Sequence, residues 1–437
     1  MIHSHRQALR ALLPLLVASA TATTSYGFAE IARGSLLLQT NASATYDSYF
    51  LGTIDNAPDT TYSLYPSLRY IRNAGRGTIT ASTGVAFNRY EKNQDLDSDD
   101  LRASLQVDLP TVEGARFKGN VGLDYNEATI VDVYVNDRVA TETFSGNLAF
   151  EYRLSDRTNL RESFGYSSTT RDLYSDQEMI SNQVALTYKG FLRGTSLTAL
   201  HDMNFTNTTG DVFTGGVGLD QQSHNFSLGL SRPLYGEVNG SLNYGYSFLR
   251  RSAQETTSGE TKSTSSYISV SIDGPFLPRK RFPKLTSSAS LSYSQPATAG
   301  RNDEAGKFFS GNLSLTWSAR ERTKLSIQAS RSMDLSLTDL SIENNRISGG
   351  FDQQFGRSTN LTGNAGYAWQ TTRGTDREDR IIDASLELSR TFNKYLTIGT
   401  GYTYQNNDTS SSGAQPGRFA PRDYERHTVK LTASVTF

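Results

Sequence analysis

Residues 428–437 read Thr428-Val-Lys-Leu-Thr-Ala-Ser-Val-Thr-Phe437. The odd positions carry valine, leucine, alanine, valine and phenylalanine, and the even positions carry threonine, lysine and serine. Successive side chains of a β-strand point to opposite faces. This segment therefore predicts a strand with one apolar wall and one polar wall.

The same alternation recurs along the chain, for example over 144–153, 241–248, 309–318 and 361–369. Apolar and polar residues that alternate over such lengths indicate half-buried strands and not helices. Soluble antiparallel sheets also alternate, so a soluble β-helix or sandwich is the alternative. The length of these segments, and polar faces rich in Asn, Ser and Gly, favour strands whose apolar side meets lipid.

The composition agrees with a transmembrane β-barrel. The chain has 23 Tyr, 21 Phe and 36 Gly, while hydrophobic residues make up only 36%. Past the first 22 residues it has no long apolar run for a membrane-spanning helix. With no cysteine it can form neither a disulfide framework nor a cysteine metal site. A formal net charge of −1 gives no indication of a nucleic-acid partner.

The N-terminal region has the features of a secretory signal. Arg6 and Arg10 precede an apolar run over 11–20, followed by Ala-x-Ala sites at 18–20 or 20–22. The run is about half of the roughly 20 residues that a spanning helix needs. We predict a signal peptide over 1–22, a short periplasmic segment over 23–34 and a single barrel domain over 35–437. The chain would cross the inner membrane and reside in the outer membrane of a Gram-negative cell.

Turn signals give the number of strands. Nine short turns are predicted near 73–77, 110–114, 155–158, 192–195, 233–236, 278–284, 318–323, 357–360 and 392–394. Longer polar stretches lie between them, at 51–60, 91–99, 126–137, 252–263, 296–306 and 408–423. Short periplasmic turns and longer outer loops are typical of transmembrane barrels. The fold class is therefore all-β, an antiparallel up-and-down barrel of about twenty strands. Weak patterns at 199–205 and 341–354 leave eighteen open.

The alternation also predicts which charged residues face the lumen. A charge facing hydrocarbon costs about 2–4 kcal/mol for Arg or Lys at the bilayer midplane. The predicted lumen-lining residues are Arg69, Arg102, Asp108, Lys118, Asp124, Glu151, Arg153, Arg161, Arg346, Asp352, Asp383, Glu387 and Lys430. These side chains could line a pore, or they could simply pair across strands in a wet interior. Their mixed signs predict no strong ion selectivity.

The sequence gives little support for an enzyme. Beyond the signal region the histidines are His201, His224 and His427, and no carboxylate lies at an H-E-x-x-H spacing from them. Asp202 adjoins His201, but neighbours on a strand point to opposite faces. We therefore predict no catalytic activity, no metal site and no cofactor.

Two resemblances extend the interpretation. The ending formed by Leu431, Val435 and Phe437 resembles the assembly signal of outer-membrane barrels, although Thr432 stands where that signal usually has Gly. It implies recognition by the barrel assembly machinery. The segments 44–49 and 62–72 resemble the putative beta-barrel porin type 2 family, although Ser48 stands where many relatives have Asn. That resemblance implies an outer-membrane barrel, associated in some relatives with exopolysaccharide production.

Two classes of function remain at this point. The first is a porin-like channel for polar solutes, which the family resemblance extends to exopolysaccharide export with periplasmic export proteins as partners. The second is a scaffold barrel that is closed or filled by a partner. Outward faces that read as evenly apolar predict a monomer surrounded by outer-membrane lipid.

Overall fold

The computed structural model describes most of the chain from residue 29 onward. The described ranges are 29–49, 58–109, 114–132, 137–171, 176–209, 218–253, 261–275, 284–298, 308–335, 341–372, 377–410 and 423–437. The predicted signal peptide and most of the predicted 51–60, 252–263, 296–306 and 408–423 loops lie outside these ranges. No helix among the described residues is long and apolar enough to cross a membrane.

The described residues are almost entirely strands, as the alternating pattern predicts. The one helical element is a short 3-10 turn, Gln94–Leu96. The strands are β1 (Ala29–Ile31), β2 (Gly34–Asp47), β3 (Asp59–Ala74), β4 (Gly77–Tyr90), β5 (Ser98–Leu109), β6 (Phe117–Asp132), β7 (Asp137–Arg153), β8 (Thr158–Arg171), β9 (Gln177–Lys189), β10 (Ser196–Thr208), β11 (Leu219–Tyr235), β12 (Val238–Ala253), β13 (Thr261–Asp273), β14 (Leu285–Thr298), β15 (Phe308–Arg320), β16 (Thr323–Leu335), β17 (Ser341–Phe355), β18 (Thr359–Thr372), β19 (Glu378–Thr391), β20 (Leu396–Ser410) and β21 (Tyr424–Thr436).

Each strand pairs antiparallel with the next, and β2 pairs with β21 to close the sheet. The short strand β1 pairs only with the start of β2. The strands β2 to β21 therefore form a closed barrel of twenty strands, which confirms the predicted fold class. The weak patterns at 199–205 and 341–354 lie in the full strands β10 and β17, so the alternative of eighteen strands is wrong.

The connections follow the predicted asymmetry with one exception. Seven of the predicted short turns join consecutive strands as expected, with Gly75 and Gly236 at positive φ in two of the tightest. Most of the predicted 110–114 and 278–284 turns lies outside the described ranges. The expected loop over 126–137 is wrong. There β6 and β7 pair without interruption from Asn126–Thr143 to Asp132–Asp137. Polar residues can extend a hairpin beyond the membrane, so polar composition alone did not mark a loop.

The pairing register sets the width of the barrel. The shear of the barrel is the offset along β2 after one full circuit from each residue to its register partner on the next strand. This offset is about 24 residues, which corresponds to a strand tilt of about 40°. With strands about 4.8 Å apart, the circumference is about 125 Å and the diameter about 40 Å. Side chains on the inner wall leave a space roughly 25 Å wide.

One face of the wall is predominantly apolar. Residues directly opposite each other on paired strands share a face, so the face of Leu431 can be followed from strand to strand. That face, here called the outward face, carries large exposed apolar side chains, such as Leu228 and Leu291 at 58% exposure each. In a membrane such a face turns to lipid, and the opposite, inward face turns to the lumen.

Candidate functional site in the barrel lumen

The register places all thirteen predicted lumen residues on the inward face. They are Arg69, Arg102, Asp108, Lys118, Asp124, Glu151, Arg153, Arg161, Arg346, Asp352, Asp383, Glu387 and Lys430. They do not meet at a single point. Most lie on two parts of the wall, β5–β8 and β17–β19.

A charged row crosses the wall near the short-turn end of the barrel. Lys118 lies directly opposite Glu151, which in turn lies opposite Arg161. Next to this row, the Arg153 guanidinium donates a hydrogen bond to the carbonyl oxygen of Gly114 at 3.1 Å. A cavity of about 200 Å³ opens there, lined by Gly114, Ala115, Arg116, Lys118, Glu151, Arg153, Asp156, Asn159 and Lys189. Basic side chains outnumber acidic ones in this lining.

A second charged pair lies on the wall formed by β17–β19. The Arg346 guanidinium donates to Asp383 across β18, with Nη2 2.6 Å from Oδ1 and 2.8 Å from Oδ2. Gly366 lies between them on β18. A Cβ atom at Gly366 would lie 2.9 Å from Asp383 Oδ1 and would also meet the Arg346 guanidinium. The ion pair can therefore cross a strand because that strand has no side chain at this point.

A polar row that the sequence analysis missed runs over β9–β13. Gln183 Nε2 donates to Asp202 at 2.6 Å, and Asn225 Nδ2 approaches Asp202 at 3.4 Å and the Tyr267 hydroxyl at 3.5 Å. The Tyr267 ring reaches Asn225 by lying over Gly245. Asp202 faces inward while His201 faces outward. Polar residues on both faces of β10 weakened the alternation that would have revealed this.

The wall formed by β11–β16 is polar but carries no charge over its central part. Hydroxyl and amide side chains dominate its inward positions. The sequence analysis predicted only charged residues for the lumen and so missed this neutral surface. This neutral wall consists of Ser223, Asn225, Ser227, Ser231, Ser241, Asn243, Ser247, Ser263, Ser265, Tyr267, Ser269, Ser271, Thr286, Ser288, Ser290, Ser292, Ser294, Ser310, Asn312, Ser314, Thr316, Ser326, Gln328, Ser330 and Ser332. Among the side chains that the structure describes, inward charged residues such as Arg251, Asp273 and Lys324 lie toward the strand ends.

Hydrogen bonds join the first and last barrel strands, β2 and β21, near both of their ends. Near the long-loop end, Arg426 Nε lies 3.0 Å from both carboxylate oxygens of Asp47, and Arg426 Nη2 also donates to Asp47. At the other end, the Phe437 N–H donates to the Leu38 carbonyl at 2.8 Å, and the Leu38 N–H donates back at 3.1 Å. The Phe437 ring stacks on Tyr395, with centroids 5.8 Å apart. The predicted assembly residues Leu431 and Val435 lie on the outward face of the same strand.

The described histidines make their contacts on the outward face, and one of them, His427, lies near a carboxylate, with Nε2 3.4 Å from Glu425 Oε1. His201 and His224 both face outward, with 3.2 Å between Nε2 of the first and Nδ1 of the second. His427 also faces outward and accepts or donates a 2.8 Å hydrogen bond with the Tyr402 hydroxyl. Within the described ranges, no group of three or more His, Asp and Glu side chains is arranged to hold a metal ion. The absence of enzymatic activity stays a prediction.

With this geometry established, the chain can be compared with known proteins. Residues 302–437 match the family model described as putative beta-barrel porin 2. The match confirms the predicted family resemblance over β15–β21. It does not include the segments 44–49 and 62–72, on which the resemblance was based. No curated protein sequence matches the chain.

Solved outer-membrane receptors share the fold of this barrel. The ferric-catecholate import receptor Fiu from E. coli, in its open form, aligns with a TM-score of 0.55 at 9% identity, covering 91% of this chain and 81% of the receptor. The ferric preacinetobactin receptor BauA from Acinetobacter baumannii aligns with a TM-score of 0.54 at 12% identity, covering 92% and 80%. The alcaligin receptor FauA from Bordetella pertussis gives 0.52 at 13% identity, covering 92% and 76%. At these identities the likeness establishes an outer-membrane type of barrel fold.

Proposed function

We propose that this barrel is an outer-membrane channel for polar solutes. The observation that carries the proposal is a polar inward face around a space roughly 25 Å wide. Barrels of sixteen to eighteen strands already leave an aqueous channel, and a barrel of twenty strands is wider. Side chains on opposite walls cannot meet across such a distance, so the lumen fills with water unless another segment or partner occupies it.

We further propose that the preferred solute is a polyhydroxylated molecule, such as a segment of a polysaccharide. The hydroxyl and amide groups of the neutral wall can each donate or accept hydrogen bonds without attracting or repelling charge. Examples are Ser290, Asn312 and Gln328, on three neighbouring strands. A wall of this kind suits a solute that presents many hydroxyl groups. The family resemblance extends this proposal to exopolysaccharide export.

An export role needs a periplasmic supply. The short-turn end is the periplasmic end of a transmembrane barrel. The cavity beside Lys118, Arg153 and Lys189 lies at this end and offers basic side chains to an acidic surface. We propose that periplasmic polysaccharide-export proteins dock here, and that the predicted signal peptide and the ending at Phe437 direct the chain through the inner membrane to the barrel assembly machinery.

Planar bilayers test the channel and its solute separately. The purified barrel should give stepwise ion currents, and a neutral oligosaccharide added to one side should reduce those currents by occupying the lumen. A silent bilayer, with correctly folded protein, would reject the open channel and favour the scaffold barrel. Currents that the oligosaccharide does not reduce would support the channel but contradict the proposal of a polyhydroxylated solute.

A further inference from the structure

A polar patch interrupts the apolar outward face on β8–β11. Asn182 Nδ2 donates to the Glu162 carboxylate at 3.3 Å, and His224 lies 3.2 Å from His201 and 3.0 Å from Gln222. These five residues are here called the lateral patch. The outward face is therefore not evenly apolar, which removes the reason for which a monomer was predicted.

The register shows that the lateral patch is one continuous surface. Glu162 and His201 lie in the same cross-strand row, with Val184 between them. Asn182 and His224 lie in the next row, with Met203 between them. Polar side chains thus occupy alternate positions in two adjacent rows of the lipid-facing wall.

Three residues of the lateral patch lie at a depth where lipid offers no hydrogen-bond partner. With about 2.5 Å of depth per residue in a tilted strand, Glu162, Asn182 and His201 lie about 10 to 18 Å from the short-turn ends of their strands. The apolar band of such barrels is about 25 Å tall, so these positions fall inside it. Ionisable side chains inside a membrane are costly and are retained where they meet a partner.

We infer that the lateral patch is an interface with a second copy of this chain. A two-fold axis along the membrane normal relates two barrels whose equivalent residues lie at the same depth in the membrane. At the contact, the strand order of one copy runs opposite to that of the other. An axis through β9 would place β8 of one copy against β10 of the other. Glu162 would then face His201 of the second copy, an acceptor against a donor, and the two Asn182 amides would approach each other. The complementarity of Glu162 and His201 on either side of β9 is what favours self-association.

A cysteine substitution tests this directly because the chain has no cysteine of its own. Under mild oxidation in intact outer membranes, Asn182→Cys should cross-link into a species of twice the chain mass. Thr400→Cys is the matched control, since Thr400 is another polar outward residue within the apolar band, on the far wall in β20. It should remain a single chain.

A mass measurement on the detergent-solubilised protein provides an independent readout. The unmodified protein should contain two chains, and the double variant Glu162→Leu, His201→Leu should contain one while keeping the migration of a folded barrel. Equal cross-linking at positions 182 and 400, or a single-chain mass for the unmodified protein, would overturn the proposal. A cross-link from position 182 to a protein of different mass would overturn it in favour of another partner.

Discussion

Replacing Asp47 with asparagine should weaken the closure between the first and last barrel strands. The Asp47 side chain is only 8% exposed, and it accepts hydrogen bonds from the Arg426 guanidinium and from the Tyr49 N–H at 3.0 Å. Asparagine keeps the size of the side chain and one acceptor oxygen, but it removes the charge. The change therefore isolates the ionic part of the contact across β2 and β21.

The expected magnitude follows from burial. Hydrogen bonds to charged groups contribute about 1.5–3 kcal/mol each. The Arg426 side chain is 43% exposed, so water screens part of the attraction. We expect a coupling of about 1–2 kcal/mol between the two positions, measured in a double-mutant cycle of Asp47→Asn and Arg426→Gln.

Equilibrium unfolding in urea, followed by tryptophan fluorescence in lipid or detergent, gives the four free energies of unfolding that the cycle needs. The exposed pair Glu378 and Arg380, with 3.1 Å between the carboxylate and Nε, is the control, because both residues lie on β19 and do not join separate strands. Its coupling should be smaller. If the Asp47–Arg426 coupling does not exceed that of the control, the ion pair does not hold the barrel closed.

Three further changes test the lumen and the chain end. Gly366→Ala should separate Arg346 from Asp383 and lower the free energy of unfolding by less than about 1 kcal/mol, because both partners are partly exposed. Ser290→Lys should shift the reversal potential toward anions, and Ser290→Asp should shift it toward cations, since the neutral wall offers no opposing charge nearby. Deleting Phe437 should lower the free energy of unfolding by about 2 kcal/mol through the loss of two backbone hydrogen bonds, and it should lower the amount of folded barrel in the outer membrane.

Each of these changes has a control within the chain. Gly349→Ala adds the same methyl group where the nearest contact would be the Ser326 carbonyl oxygen at an ordinary 3.7 Å, so the free energy of unfolding should not fall. The two Ser290 variants control for each other, and shifts of the same sign would show that position 290 does not face the lumen. Thr436→Ala keeps the terminal ring and backbone, so barrel levels that fall as far as after deletion of Phe437 would contradict a specific role for that residue.

The alternation predicted the barrel well because every transmembrane strand needs an apolar face toward lipid. Most outward positions in the membrane are apolar, so the face that carries Phe437 and Leu431 can be followed to the neighbouring strands through the register. From the sequence alone, that rule predicts an inward face for charged residues such as Arg102, Glu151 and Asp383, and the register places them there. Turn residues at a regular spacing predicted the nine short turns, because strands of similar length repeat around the barrel.

The same rule failed where outward positions are polar. The weak pattern at 199–205 arises because His201 occupies a lipid-facing position, and that residue belongs to the lateral patch. Local alternation cannot show that Glu162 and Asn182 are neighbours, since their contact depends on the register between two strands. Nor could it show that Gly366 makes room for an ion pair that spans three strands.

The solute-size dependence of the bilayer current tests the central claim most directly. Uncharged polymers of graded diameter should lower the conductance as they enter the lumen, and this effect should persist up to a polymer diameter of about 20 Å for a twenty-stranded barrel. Folded protein that gives no current, or a current that polymers wider than about 10 Å leave unchanged, would contradict a wide, water-filled channel.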